Sequence, residues 1–128
     1  MNLNTPKWIS KKQAIYIHDL SIKKHGGIAG IRDEGLLDSA LNRPLNHFTY
    51  GERSLYALTA IYAQGISKNH AFLDGNKRTA YSVAALFLHF NGLSLKISSI
   101  EKQIAFFMDL AAGKVSREEL TLFYQNNT

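Results

Sequence analysis

The eleven residues His70-Ala71-Phe72-Leu73-Asp74-Gly75-Asn76-Lys77-Arg78-Thr79-Ala80 place a histidine, a carboxylate, a glycine turn and two adjacent cations directly before an apolar helical pattern. In that pattern Ala80, Val83, Ala84 and Phe87 fall at i, i+3, i+4 and i+7, which predicts a helix from Asn76 to Asn91 with one face in the core. Gly92 stands where a C′ glycine belongs. The residue types ahead of the helix suit the movement of a phosphate-containing group. His70 is a candidate proton acceptor, since imidazole has the unperturbed pKa nearest neutrality. Asp74 is a hard oxygen ligand, of the kind Mg²⁺ takes when it also binds phosphate. Gly75 permits a tight turn, and Asn76 opens a helix whose first N–H groups lack internal partners. Those groups, the helix dipole, Lys77 and Arg78 together form an anion site.

Each residue also has a plainer reading. His70 alone reads as a helix-terminal histidine with a structural hydrogen bond, and Asp74 or Asn76 as an N-cap. Phe72 reads as the anchor of the loop, pointing into the core while its neighbours face a cleft. Lys77 and Arg78 read as first-turn surface residues, but cations are electrostatically unfavourable at a helix N-terminus. Two of them there point to a compensating anion. The other histidines, His18, His25, His47 and His89, receive no role from the sequence.

Outward from this segment the pattern is helical nearly throughout. Ser10-Lys11-Lys12-Gln13 is a capping box, followed by Ala14, Ile15, Ile17, His18 and Ile22 at helical spacing, and Gly26-Gly27 ends that helix. A second, short helix starts after Asp33, buries Leu36, Leu37, Ala40 and Leu41, and stops before Pro44. A third runs from about Glu52 to Lys68, burying Leu55, Leu58, Ile61, Tyr62 and Ile66. Beyond the fourth helix, Leu93, Leu95 and Ile97 alternate too briefly for a sheet. Ser98-Ser99-Ile100-Glu101 and Ser116-Arg117-Glu118-Glu119 are two more capping boxes, opening helices with Ile104, Phe107 and Met108, then Leu120 and Phe123. The expectation is an all-α bundle of about six helices, with residues 1–128 as one domain.

At 128 residues the chain is long enough to bury its own core, and 45% hydrophobic with 20% charged residues is an ordinary globular composition. No apolar run approaches the roughly 18 residues of a membrane span. The N-terminal residues carry no apolar stretch of a signal peptide, and cysteine is absent, so a cytoplasmic, disulfide-free protein is expected. The net charge of +5 raises the question of nucleic acid, but the basic residues are scattered, paired only at Lys11-Lys12, Lys23-Lys24 and Lys77-Arg78. A groove binder would show a denser stripe, so solvated surface charge and an acidic partner are expected instead.

The motif segment resembles HxFx[DN]GNKR, the Doc (death on curing) variant of the Fic-fold motif, matching at His70, Phe72, Asp74, Gly75, Asn76, Lys77 and Arg78. Residues Gly26 to Leu37 are similar to the GG..G.RD.G.L stretch near the start of Doc proteins. The resemblance implies a Fic-fold bundle in which His70 is the catalytic base and Asp74 holds Mg²⁺. It implies that Gly75, Asn76, Lys77 and Arg78 bind the phosphates of ATP. It further implies a toxin, held inactive by a Phd-like antitoxin, that phosphorylates a serine or threonine hydroxyl on a translation factor, with elongation factor Tu as the family's target. The Fic adenylyltransferases resemble HPFx[DE]GNGRxxR instead. Lys77 stands where their second glycine sits and Tyr81 where their last arginine sits. A lysine fills space that a close-lying diphosphate needs, so phosphoryl transfer is expected over AMP transfer. AMP transfer and a non-catalytic binding module are the rivals. None of the five glutamates has Ser or Thr four residues before it, so the autoinhibitory [ST]xxxE[GN] pattern is absent.

Overall fold

A computed structural model describes residues 5–96, 102, 105, 106, 108, 109 and 112–128. Five helices are defined among these residues: α1 Lys11–His25, α2 Glu34–Thr49, α3 Leu55–Asn69, α4 Asn76–Phe90 and α5 Arg117–Asn126. Of the helix expected over 98–111, Lys102, Ala105, Phe106, Met108 and Asp109 are described and helical, and its capping box at Ser98 lies outside the described residues. The all-α expectation holds.

The centre of the bundle is α3. Ten of its fifteen residues are buried, and it packs on α2, α4 and α5, while α1 lies on α4 and touches α2. A helix apolar on nearly every face can only be a core element. Its small residues, Ala57, Ala60, Ala63 and Gly65, let neighbours approach, while Leu58, Ile61, Tyr62 and Ile66 fill the space between helices with Leu37, Phe87, Leu88, Leu120 and Tyr124. The Tyr62 hydroxyl accepts from Ile9 N–H at 3.1 Å and so ties the N-terminal segment to the core. Burial pushes the Tyr62 phenol up to about 12, against the opposing Ile9 hydrogen bond.

The helix starts follow local sequence. Ser10 and Ser116 each form a complete capping box, with Gln13 and Glu119 reaching back. Asp33 and Ser54 cap α2 and α3 through Leu36 N–H and Ala57 N–H. The third helix therefore begins at Leu55 rather than near Glu52, whose carboxylate accepts from Ser54 N–H. The expected stop before Pro44 is overturned: α2 continues through a buried Pro44 to Thr49. Proline removes the N–H that would bond the Ala40 carbonyl and crowds that carbonyl. Gly65 of α3 faces this spot, and a Cβ there would stand only 3.5–3.7 Å from Ala40 Cβ, Cα and O. Burial of Leu37, Ala40, Leu41 and Pro44, on a helix packed against α3, offsets the local cost of the proline.

Candidate active site

The segment between α3 and α4 is held by backbone bonds to the chain that follows α1. At the end of α3, His70 adopts φ 52°, ψ 42°, and among the described residues it alone has a positive φ without being glycine. Ile31 and Phe72 form an isolated antiparallel bridge. Arg32 N–H and Asp33 N–H donate to the Ala71 carbonyl at 2.7 and 3.0 Å, and Leu73 N–H donates to Gly30 O at 3.1 Å. The Arg32 side chain donates through Nε to His70 O at 2.7 Å and through Nη2 to Asn69 O at 3.4 Å. The glycine-rich stretch after α1 is thus a strap laid along the loop.

Phe72 anchors the loop as expected, with only 1% exposure. Its ring stacks on His18 of α1, with centroids 3.9 Å apart and planes 9° from parallel. Nε2 of the buried His18 lies 2.7 Å from the Asp74 carbonyl, which fixes that nitrogen as the N–H donor. His18, given no role by the sequence, therefore supports both the anchor and the acid of the motif. Its position among the apolar residues of α1 was the one signal in the sequence.

The Asp74 carboxylate does not cap α4. Oδ1 accepts from Gly75 N–H at 2.9 Å and Oδ2 from Ile28 N–H at 3.2 Å. Each oxygen keeps a free lone pair, and the group is exposed. Gly27 lies against it, where a Cβ would come within 2.8 Å of Oδ2. Asn76 is taken up differently from a phosphate-facing amide. It accepts from Phe72 N–H and donates to Phe72 O, both at 3.0 Å, so its side chain shapes the loop. What Asn76 offers an anion is its backbone N–H.

At the start of α4, Gly75 occupies the N-cap in the left-handed region (φ 75°, ψ 20°) with no side-chain cap bond and no acidic residue in the first turn. Among the described residues no carboxylate pairs with Lys77 or Arg78. These residues, with Ser21, Ile22, Gly26, Ser67, His70, Leu73, Asp74 and Asn76, line a cleft of about 360 Å³. At the end of α1, lost hydration and then the charges of Arg78 and Lys24 hold the His25 imidazole below its ordinary value. The cleft is thus lined by His70 and Asp74 together with two unpaired cations and the uncapped start of α4.

The structure thus brings together His70, Asp74, Gly75, Asn76, Lys77 and Arg78 around one cleft, with Phe72 behind them. Among the described residues no cluster of three histidine or carboxylate groups forms a self-sufficient metal site. A single accessible carboxylate beside an anion site suits Mg²⁺ shared with substrate phosphates, which needs one or two protein carboxylates.

Residues 8–88 match the model of the Fic/DOC family. Protein kinase doc of Escherichia phage P1 is 35% identical over 88 residues, covering 68% of this chain and 70% of that protein. Toxin Doc of Mycolicibacterium smegmatis (strain ATCC 700084 / mc(2)155) is 45% identical over 73 residues, 55% of each chain.

Proposed function

This chain belongs to the Fic/DOC family, and on that premise we propose that it is a Doc-like toxin that transfers the γ-phosphate of ATP to a serine or threonine hydroxyl of a translation factor. The observation that supports the reading is the uncapped, cation-led start of α4 lining one cleft with His70. Phosphoryl transfer asks a protein mainly to position the reactants and to stabilise charge on the moving group. The first N–H groups of α4, Lys77 and Arg78 meet that charge. His70, exposed at the end of α3, takes the proton of the acceptor hydroxyl. The hydroxyl oxygen bonds the γ-phosphorus as the bond to the β,γ-bridging oxygen breaks, and ADP leaves. Asp74 would hold Mg²⁺ jointly with the nucleotide, which supplies further charge neutralisation where the phosphates meet.

The Lys77 side chain lines the cleft at the position where adenylyl-transferring relatives resemble GNGR, which favours phosphoryl over AMP transfer. Elongation factor Tu is the target the family resemblance puts first, in the cytoplasm. A Phd-like antitoxin supplies the restraint that the chain's own glutamates do not provide. The test is incubation of the purified chain in a susceptible lysate with γ-labelled or α-labelled ATP. Protein labelling only from the γ position is expected. Labelling only from the α position would replace kinase by AMP transfer, and none from either would leave a binding module.

A further inference from the structure

Arg32 lies outside the motif, yet it grips the motif's first residue. Three successive carbonyls at the end of α3 receive donors from this one residue: Asn69 O from Nη2, His70 O from Nε and Ala71 O from the backbone N–H. The Asn69 and His70 carbonyls belong to the last residue and the cap of α3, where a helix end leaves carbonyls without intrahelical partners and its dipole favours a guanidinium, and Ala71 follows just beyond. The middle one belongs to His70, in a left-handed conformation that helix ends usually give to glycine. Glycine cannot serve here, because this residue must carry an imidazole into the cleft. The strained conformation therefore needs outside support, and bonds to the carbonyls before, at and after it supply that support. The planar guanidinium has donors at fixed angles that reach two carbonyls at once, which an ammonium does as a point charge only.

We propose that Arg32 is a positioning residue that holds His70 in its left-handed, cleft-facing conformation and so sets the placement of the catalytic base. The proposal rests on the reading of His70 as that base. It assigns Arg32, which is not among the residues lining the cleft, no contact with ATP.

The experiment compares wild type, Arg32→Met and Arg32→Lys as full chains, measuring kcat and KM for ATP, the unfolding midpoint, and the His70 Cα and Cβ chemical shifts. Arg32→Met keeps the stem and removes the donors. It is expected to lower kcat roughly 10- to 100-fold, the cost of an ångström-scale misplacement, with KM for ATP within about twofold. The His70 shifts should leave their left-handed values, and Arg32→Lys should recover part of kcat. A wild-type kcat in Arg32→Met, or a loss confined to KM, would overturn the proposal. If the wild type transfers no label from ATP, the kinase reading has failed and the shifts alone decide. Movement of the His70 signals in Arg32→Met then upholds the positioning role, and unchanged signals reject it.

Discussion

Two kinds of helix start stand side by side in this molecule. At α1 and α5 a serine caps the third N–H and a glutamine or glutamate returns the bond. At α4 the cap is a left-handed glycine, the side-chain bond is missing, and the first turn carries Lys77 and Arg78 with no acid. A good cap contributes about 1 kcal/mol, and a cation at a helix N-terminus costs a few tenths to about 1 kcal/mol. The start of α4 is therefore less stable than this chain's other starts show it can be. Local rules that a sequence obeys elsewhere and breaks in one place mark a position kept for function. The free N–H groups and cations that weaken the helix are the groups an incoming phosphate needs.

The comparison breaks most visibly at the groups that face the uncapped start. His70→Ala should lower phosphoryl transfer roughly 10²–10⁴-fold, the usual contribution of a general base, with the unfolding midpoint unchanged because the side chain is exposed. Near-normal label transfer by this variant would remove His70 from the mechanism. Phe72→Ala acts through the fold instead. Losing a buried aromatic costs about 3–5 kcal/mol, and here it also takes away the ring on which His18 stacks. Denaturant unfolding should show that loss together with reduced transfer. A stable but inactive variant would mean that the ring serves chemistry rather than anchoring.

The two kinds of start can then be set against each other directly. Ser116→Ala removes a complete capping box and should cost about 1 kcal/mol of stability while transfer stays at the wild-type rate. Lys77→Gln should do the opposite: unfolding shifts to higher denaturant by about 0.3–1 kcal/mol, and transfer falls because a cation at the phosphates is gone. If Lys77→Gln loses both stability and transfer, the lysine is a structural residue and the contrast between the starts dissolves.

Much of the site was legible because its signals are short in sequence. The histidine, the acid, the glycine turn and the two cations lie within nine residues, and the predicted break before Asn76 is where α4 begins. Phe72 was readable as an anchor because an aromatic between His70 and Asp74 can point into the core while its neighbours face a cleft. The supports of the site were not legible. His18 reaches Asp74 across 56 residues and Arg32 reaches His70 across 38, and neither separation leaves a periodic trace. Asn76 read as an N-cap or a phosphate ligand because nothing local shows that both its amide atoms bond the backbone of Phe72.

The sequence by itself determined an all-α chain, the capped starts at Ser10 and Ser116, the stop at Gly26 and the loop that lines the candidate site. Each depends on hydrogen bonds closed within about four residues, or on a periodicity of that length. Only the tertiary structure decided that α2 runs through Pro44, because burial of Leu37, Ala40, Leu41 and Pro44 on a helix packed against α3 offsets a break that local rules predict. It alone decided that the strap after α1 lies along the loop, bonding Ala71 and His70, and that Asp74 is held by Ile28 and His18 rather than capping a helix. Those outcomes depend on which distant backbone groups the packed helices bring within hydrogen-bond reach, a competition among long-range contacts that no local pattern encodes.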